Sequence, residues 1–264
     1  MYFVTSGWAS IAMSKIVECL KNPETVNSVL VIAAFREFEN LGILLVELDQ
    51  LLPADVGIII ADDSGEDKEL IIETIVRESL DKMRSWLITF SKVKSGRGSA
   101  VLRGFELTVK YFPGVRYLSE CDADGSHRPI DIRGLVLSPD SDFTIGSRYL
   151  PMSKIVGWPI SRRITSRVLN FVIPKALNIR TTDVTNGLRR YSLRSAQIIM
   201  SNKQTNNGFI FLSEQAILLS KNGIDPMEFP ITFIDRIHGT SSVGLAEILD
   251  SIRGVYLLYR AKKN

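Results

Sequence analysis

Two continuous apolar runs, each followed by acidic residues and a helical pattern, constrain the fold of this 264-residue chain most strongly. The run SVLVIAAF, which begins at Ser28, precedes REFEN and the helical pattern NLGILLVELDQLL. The run GIIIA, which begins at Gly57, precedes DDSGED and then a helix and a strand within residues 68–90. Unbroken apolar runs are typical of strands buried on both faces of a sheet. The β-α-β order predicts an α/β fold with a mostly parallel central sheet flanked by helices.

The later segments continue this alternation of strands and helices. SGRGSAVLRGFELTVKYF is typical of a Gly-rich loop that leads into a helix, and VRYLSEC of the next strand. Residues 160–177 are amphipathic and bounded by Pro159 and Pro174, which predicts a helix. Further predicted elements are a strand in SDFTIGSRY, a strand and helix in LRRYSLRSAQIIM, a helix in GFIFLSEQAILLSKNG, a strand in EFPITFID and a C-terminal helix over about Val243–Tyr259.

Composition is that of an ordinary globular protein, since 45% of the residues are hydrophobic and 23% are charged. The N-terminus lacks the basic region of a signal peptide, and no apolar run approaches the roughly 20 residues that span a bilayer. We therefore expect a cytoplasmic protein, or one bound peripherally to the cytoplasmic face of a membrane. Residues 1–27 are expected to form an N-terminal extension, and residues 28–264 a single domain with a C-terminal helix.

Acidic residues follow three of the predicted strands. Glu37 follows the first strand, Asp62 and Asp63 follow the second, and Asp122 and Asp124 follow VRYLSEC. Ligands of open α/β sheets bind outside the carboxyl ends of the strands, where these side chains would converge. Any one of these acids is more commonly a helix cap or turn former. Their coincidence at three strand ends favours a ligand site.

The stretch SECDADGSH places Asp122 and Asp124 in a D-x-D pattern at a strand end. Hard carboxylate oxygens suit Mg²⁺ or Mn²⁺, and a diphosphate can complete the coordination of such a cation. A turn is the alternative interpretation of this short motif. The neighbouring acids and the arginines further along the chain favour the cation and diphosphate.

The segment from Arg162 to Lys203 contains nine basic residues and one acid, Asp183. Such an excess of cations attracts phosphate groups or an anionic surface. The arginines at 162, 163 and 167 fit either an acceptor phosphate site or the solvated face of a helix. Aromatic residues are sparse in this segment, so no nucleic-acid partner is expected.

Taken together, these motifs resemble the dolichyl-phosphate mannosyltransferase group of family 2 glycosyltransferases over residues 28–259. AAFREFENL resembles the family's P-x-Y-N-E-x-x-N-L, IIIADDSGED its second strand, SGRGSAVLRGF its Gly-rich loop and CDADGSHRP its D-A-D-x-Q-H-x-P. FTIGSRY, GWPISRRITSRVLN, DVTNGLRRY and PITFIDRIHGTSS follow in family order.

The resemblance implies a GT-A type nucleotide-sugar domain that transfers a sugar, such as mannose, with inversion. The implied donor is a GDP- or UDP-linked sugar, the acceptor is dolichyl or polyprenyl phosphate at a membrane face, and the cofactor is Mg²⁺ or Mn²⁺. Access to the lipid would come from peripheral docking or from a membrane-anchoring partner. The alternatives are a family 2 glycosyltransferase that acts on a glycan hydroxyl in polysaccharide synthesis, and a catalytically weak nucleotide-sugar-binding relative.

The resemblance also implies roles for individual residues. Asp124 would hold the metal, together with Ser126, and Asp122 would contact the ribose and diphosphate beside it. Arg148 and Arg236 would face the phosphates of donor or acceptor. The remaining donor residues would be Ala33, Phe35, Glu37, Asp62, Asp63 and Ala123, and the remaining acceptor residues would be Arg162 and Ser166.

An ionised phosphate acceptor needs little help from a general base, because its second pKa of about 6 leaves it mostly charged near neutral pH. It needs positioning beside another anion, which arginines provide. A hydroxyl acceptor would instead require a base, for which Asp183 in TTDVTNG is the candidate.

The sequence departs from the family pattern at four positions. Ala33 and Arg36 stand where the family has Pro and Asn, Ser126 stands for the Gln beside the metal, and Ser242 for a Lys near the diphosphate. Ser126 offers an oxygen with a shorter reach than Gln, so a water molecule would enter the metal shell.

Overall fold

The computed structural model describes residues 13–81, 83–202 and 210–235. Its strands are β1 (Met13–Cys19), β2 (Ser28–Ala34), β3 (Val56–Asp62), β4 (Trp86–Ser91), β5 (Tyr117–Asp122), β6 (Phe143–Ser147), β7 (Lys154–Val156), β8 (Arg189–Ser192), β9 (Met227–Pro230) and β10 (Thr232–Ile234). Its α-helices are α1 (Phe38–Leu51), α2 (Glu69–Ser79), α3 (Arg97–Tyr111), α4 (Pro129–Val136), α5 (Ile160–Leu177), α6 (Leu193–Ser201) and α7 (Ile210–Lys221).

A central sheet of eight strands organises the described residues in the order β1-β4-β3-β2-β5-β8-β6-β9. Strands β2, β3, β4 and β5 are parallel, whereas β1 pairs antiparallel with β4, and β8 runs antiparallel to both β5 and β6. Strands β7 and β10 form a separate parallel pair. The mostly parallel sheet predicted from the sequence is therefore confirmed.

Helices cover both faces of this sheet, as expected for strands whose side chains are apolar on both sides. On one face Phe105 of α3 and Phe211 of α7 are buried against the strands. On the other face Leu41 of α1 and Ile72 of α2 are buried. A Cβ atom at Gly104 would overlap Val31, so α3 approaches β2 closely at this point.

The structure differs from the expected elements in three places. Strand β1 lies within residues 1–27 and extends the sheet at its edge. Helix α4 and the three-residue strand β7 were not predicted, because both are too short for a clear hydrophobic period. EFPITFID forms two strands in different sheets. Ile231 lies between these strands, and its amide donates to the Ser147 carbonyl while its carbonyl accepts from the Lys154 amide.

Two predictions about the ends of the domain remain predictions. The domain boundary at residue 28 is one of them, and the helix over Val243–Tyr259 lies outside the described residues. Among the residues that the structure describes, no helix is both long and apolar enough to cross a membrane.

Candidate active site

The carboxyl ends of β2, β3 and β5 lie side by side in one register. Ala34 of β2 pairs with Asp62 of β3, and Ala33 pairs with Asp122 of β5. The Ala33 carbonyl also accepts a hydrogen bond of 3.2 Å from the amide of Ala123. The predicted convergence of strand-end acids at one edge of the sheet is therefore what the backbone adopts.

Asp63 anchors the Gly-rich loop that precedes α3. Its Oδ2 accepts hydrogen bonds from the Ser95 amide at 2.8 Å, the Ser95 hydroxyl at 2.8 Å and the Gly96 amide at 3.1 Å. Its Oδ1 accepts from Arg103 Nη2 at 2.9 Å. Both oxygens are thus bound by the protein, and Asp63 fixes the loop. Its predicted contact with a nucleoside remains a prediction.

Asp62 is 1% exposed and is held by Ser64, whose amide and hydroxyl donate to the two carboxylate oxygens at 2.9 Å and 2.8 Å. The Ser64 hydroxyl accepts in turn from the Arg36 amide at 2.7 Å. Burial raises the pKa of Asp62 to about 6, although the bonds from Ser64 oppose this shift. Arg36 has a φ of 58°, a left-handed conformation that the family's Asn adopts more readily.

Replacement of Asp62 with Asn is expected to stabilise the protein above pH 6. At pH values below 3.8, the ordinary pKa of Asp62, the carboxyl is protonated in both the folded and the unfolded state. Its burial then does not remove a charge from water, and stability is unaffected. As the pH rises to about 6 the unfolded state loses its proton first, and the folded state becomes less stable by up to about 3 kcal/mol. We expect the Asp62→Asn variant to gain about 1–3 kcal/mol in free energy of unfolding at pH 7.5 and almost nothing at pH 4.

Urea denaturation at both pH values measures this difference. Asp225→Asn, at an exposed position, serves as the control and should show little change at either pH. An equal gain for Asp62→Asn at pH 4 and pH 7.5 would contradict the assignment of a raised pKa.

Glu37 and Phe35 lie at the start of α1, after β2. Glu37 accepts a hydrogen bond of 2.7 Å from Asn40 Nδ2, so its carboxylate is partly oriented by the helix. Phe35 is 36% exposed, and the Lys94 ammonium lies 4.2 Å from its ring centroid. An accessible aromatic ring and a carboxylate at this edge are suited to the stacking and hydrogen bonding of a base.

Asp122 is held by an arginine that the sequence alone did not single out. Arg97 Nε donates to Asp122 Oδ1 at 2.5 Å, Arg97 Nη1 donates to Glu120 at 2.7 Å, and Nη2 donates to the Gly187 carbonyl at 2.8 Å. Its position within SGRGSA was visible in the sequence, but its partners were not. The first acid of the D-x-D pattern is therefore already paired with a cation.

Asp124 and Ser126 fit a cation that a substrate shares. Asp124 is 5% exposed, and its Oδ1 accepts from the Ser126 amide at 3.0 Å across Gly125, whose φ is 73°. The Ser126 hydroxyl is buried and has no hydrogen-bond partner within the described part of the chain. Over residues 13–81, 83–202 and 210–235, no group of three or more His, Cys, Asp or Glu side chains forms a metal cluster. Within these residues, a cation at Asp124 would therefore need further ligands from outside such a cluster.

His127 is buried beside these residues. Asn186 Nδ2 donates to the Gly146 carbonyl, so Asn186 Oδ1 accepts from His127 Nε2 at 2.8 Å. The Nδ1 atom has no partner among the residues described here. The ring of Phe233 meets the imidazole edge-to-face, with centroids 5.3 Å apart. His127 is therefore a buried residue that connects the D-x-D loop to β10.

Arg148 and Asp183 form a buried ion pair in the predicted acceptor region. Arg148 Nε and Nη2 donate to the two oxygens of Asp183 at 2.6 Å and 2.7 Å, and the Arg148 amide donates at 3.0 Å. Burial acts to lower the pKa of Arg148, but the charge of Asp183 outweighs it and raises the pKa above the ordinary value. Both oxygens of Asp183 are engaged, and its role as a base remains a prediction.

Trp158 joins the two predicted acceptor arginines, and sequence reasoning did not identify it. The guanidinium carbon of Arg162 lies 4.1 Å from the ring centroid of Trp158, and that of Arg148 lies 5.3 Å from it. Arg162 also donates to Asp235 at 2.8 Å, and Phe233 contacts Trp158 edge-to-face. An aromatic residue two positions before a basic helix was the available signal.

Ser166 lies on α5 and is bound by side chains around the same region. Its hydroxyl accepts from the Tyr149 hydroxyl at 2.6 Å, and its carbonyl accepts from Asn170 Nδ2 at 3.0 Å. Asn170 Nδ2 and Arg148 Nη2 both donate to the Thr185 hydroxyl, at 2.9 Å and 2.7 Å. The network places Ser166 near Arg148. The predicted site residue Arg236 and the departure Ser242 lie outside the described residues.

Curated proteins of similar sequence span most of the chain. A polyprenol monophosphomannose synthase of Mycolicibacterium smegmatis is 28% identical over 231 residues, which cover 86% of this chain and 85% of that protein. An undecaprenyl-phosphate mannosyltransferase of Micrococcus luteus is 29% identical over 214 residues, which cover 81% and 86%. No protein-family model matches the chain. The resemblance stated from the motifs is confirmed by these two relatives.

Solved structures of similar fold include glucosyl-3-phosphoglycerate synthase from Mycobacterium tuberculosis with Mn²⁺, uridine diphosphate and phosphoglyceric acid. It has a TM-score of 0.57 and 15% identity, and the match covers 89% of this chain and 78% of that one. The same enzyme with Mg²⁺ and uridine diphosphate has a TM-score of 0.55 over 89% of this chain and 79% of that one, at 15% identity. This likeness confirms the GT-A type fold predicted from the sequence.

Proposed function

We propose that this protein is an inverting glycosyltransferase that moves a sugar from a nucleoside diphosphate to a polyprenyl phosphate. The observation that carries the proposal is the position of Phe233, whose ring lies 5.3 Å from His127, from Trp158 and from the guanidinium carbon of Arg148. Phe233 therefore connects His127, after the D-x-D pair, to Arg148 and to Trp158, which also contacts Arg162. The two curated relatives are named for making polyprenyl-phosphate mannose or transferring mannose to undecaprenyl phosphate, which supports this acceptor class.

On the donor side, Asp124 and the Ser126 hydroxyl would hold a divalent cation together with the diphosphate oxygens. Such a cation stabilises the charge that develops on the departing nucleoside diphosphate. Structures of the same fold contain Mn²⁺ or Mg²⁺ with uridine diphosphate, which supports this type of donor site. Phe35 and Glu37 would contact the base of a GDP- or UDP-linked sugar.

On the acceptor side, Arg148 and Arg162 would position the phosphate of the lipid. A phosphate oxygen attacks the anomeric carbon, the bond from that carbon to the diphosphate oxygen breaks, and the configuration inverts. The nucleophile is already an anion, so no side chain has to remove a proton. Arginine remains charged at any pH of interest. Arg148 is buried and paired with Asp183, and Arg162 is part-exposed and paired with Asp235, so each would bind phosphate oxygens through N–H groups that its carboxylate partner does not use.

The engagement of Asp183 favours phosphate over hydroxyl as the nucleophile. A general base must reach the proton that it removes. Both oxygens of Asp183 accept hydrogen bonds from Arg148, at 2.6 Å and 2.7 Å, so the carboxylate is turned toward a cation. Asp183 is therefore better placed to orient Arg148 than to deprotonate an alcohol.

A transfer assay tests the proposal directly. The purified protein is incubated with Mn²⁺, radiolabelled GDP-mannose, UDP-glucose or UDP-galactose, and a polyprenyl phosphate in detergent. We expect one donor to label the lipid phosphate, and no label on the matching polyprenol, which presents a hydroxyl. Label on polyprenol or on glycan acceptors, without label on the phosphate, would contradict the assigned acceptor.

The outer face of α5 supports docking of the protein on a membrane. Its exposed apolar side chains recur at helical spacing, and Ile160 and Phe171 are 76% and 60% exposed. The helix contains four basic residues and no acid, so this face suits an anionic lipid surface. Ser166 lies on the same helix, which would bring the acceptor site close to the lipid. The exposed apolar residues of this helix are Ile160, Ile164, Val168, Phe171 and Val172.

Binding to vesicles should depend on this face. The double substitution Ile164→Asp and Phe171→Asp is expected to weaken binding to phosphatidylglycerol vesicles at least about tenfold, because two apolar side chains no longer enter the interface. Co-sedimentation measures the bound fraction. The matched control, Ile43→Asp and Val46→Asp, alters exposed apolar residues of α1 and should bind like wild type. Equal binding by the α5 variant would contradict the docking face.

A further inference from the structure

A groove lies between the C-terminal half of α5 and the chain that follows this helix. Its volume of about 690 Å³ is within the roughly 300–1,000 Å³ that small-molecule sites occupy. Asn178 has a φ of 51°, a left-handed conformation common after the C-terminus of a helix, and the Ile179 amide donates to the Pro174 carbonyl at 2.9 Å. This turn lets residues 178–182 line the groove together with α5. The α5 residues that line it are Arg167, Asn170, Phe171, Pro174 and Lys175.

Three basic side chains line this groove, those of Arg167, Lys175 and Arg180. Among the residues that the structure describes, none forms an ion pair with Arg167 or Lys175. Arg180 lies 3.5 Å from Asp225, and its side chain is 85% exposed. The Lys175 ammonium lies 3.9 Å from the ring centroid of Phe171, which keeps it at the groove. Such weakly paired cations are available to an anion.

Glu228 is the acidic residue among the described residues that line the groove. Its Oε1 accepts from the Thr181 hydroxyl at 2.9 Å, and from the Thr182 amide and hydroxyl at 2.8 Å and 2.7 Å. This oxygen is therefore engaged by the chain that follows α5. The basic groups outnumber the acid, so the groove attracts negative charge.

The groove adjoins the exposed apolar face of α5. Phe171 belongs to that face and also lines the groove. Arg167 and Lys175 lie four positions before and after Phe171, on the same side of the helix. Tyr149 lines the groove as well, and its hydroxyl donates to the Ser166 hydroxyl at 2.6 Å. The groove thus extends from the proposed docking face to the border of the proposed acceptor site.

We infer that this groove binds the headgroup of one anionic phospholipid, such as phosphatidylglycerol, at a saturable site separate from the acceptor phosphate. The assignment rests on the proposed function, which brings α5 to a lipid surface. Arginine binds phosphate oxygens through its guanidinium fork, and lysine adds a compact positive charge. Apolar lining from Phe171 and Pro174 beside these cations suits a phosphate that carries glycerol and acyl chains better than it suits free phosphate.

Binding of short-chain phospholipids below their critical micelle concentration tests this site without a membrane. Isothermal titration calorimetry on the full chain compares dihexanoyl phosphatidylglycerol, dihexanoyl phosphatidylcholine and inorganic phosphate. We expect saturable binding of phosphatidylglycerol. Binding should be at least about tenfold weaker for phosphatidylcholine, whose headgroup has no net charge, and for inorganic phosphate, which lacks the apolar part.

The double substitution Arg167→Gln and Lys175→Gln should weaken binding of phosphatidylglycerol at least about tenfold, because two of the lining cations are lost. The matched control, Lys110→Gln with Lys154→Gln, removes the same charge at exposed positions outside the groove and should bind like wild type. Circular dichroism establishes that both proteins are folded. If the double variant does not fold, Arg180→Gln replaces it and should weaken binding several-fold.

The inference would be overturned if wild type did not bind phosphatidylglycerol, or if it bound phosphatidylcholine or inorganic phosphate as tightly. An equal loss in the control variant would also overturn it, because binding would then follow the overall charge of the protein. The calorimetry uses neither sugar donor nor polyprenyl phosphate. A protein that binds phosphatidylglycerol in the groove but transfers no sugar would therefore contradict the proposed function alone, and the reverse result would contradict the groove site alone.

Discussion

Replacement of Asp124 with asparagine is expected to lower kcat for sugar transfer by about 10³-fold. Asp124 would supply the carboxylate that fixes the cation against the leaving diphosphate, and such a cation contributes several kcal/mol to transition-state stabilisation. Asparagine has the same shape, and its carbonyl oxygen can still accept the hydrogen bond that the Ser126 amide donates to Oδ1 at 3.0 Å.

Steady-state transfer to polyprenyl phosphate at saturating donor and Mn²⁺ measures this effect. Asp67→Asn, at a position whose side chain is 72% exposed, is the matched control and should retain wild-type kcat. A loss of less than about tenfold in a folded Asp124→Asn protein would place the cation elsewhere or remove it from the mechanism.

The sequence was sufficient to predict the sheet and the edge at which the strand-end acids lie. SVLVIAAF and GIIIA contribute β2 and β3, which are buried on both faces, as is typical of short unbroken apolar runs between turn residues. Helix α5 spans residues 160–177 as predicted, with Pro159 at its N-cap, but Pro174 lies inside the helix and was wrongly taken as a boundary. Parallel pairing then brings Asp62 and Asp122 to one edge, since all carboxyl ends of parallel strands face the same way.

The partners of the charged side chains could not be predicted in the same way. Arg97 reaches Asp122 across 25 residues of sequence, and Arg148 reaches Asp183 across 35. Hydrophobic periodicity specifies which face of an element is buried, but not which of several arginines pairs with which acid. Trp158 was missed for a related reason, because its role depends on the position of two arginines from different elements.

Replacement of Asp183 with asparagine is expected to lower the free energy of unfolding by about 3–5 kcal/mol, because it leaves the buried guanidinium of Arg148 without its counterion. The two side chains are 0% and 6% exposed, so water cannot replace the lost partner readily. Arginine also cannot relieve the strain by losing its proton, as a buried lysine would. Transfer to polyprenyl phosphate should fall as well, because Arg148 would no longer be held toward the acceptor.

Urea denaturation of Asp183→Asn, Arg148→Met and the double variant separates the ion pair from other effects of either substitution. We expect the double variant to be more stable than the sum of the single losses predicts, since it leaves no unpaired buried charge. The control Asp140→Asn breaks an exposed pair with Arg116 and should have little effect. Strictly additive losses would contradict the coupling of Arg148 to Asp183. Full stability of Asp183→Asn, with activity lost only toward hydroxyl acceptors, would instead identify Asp183 as a general base.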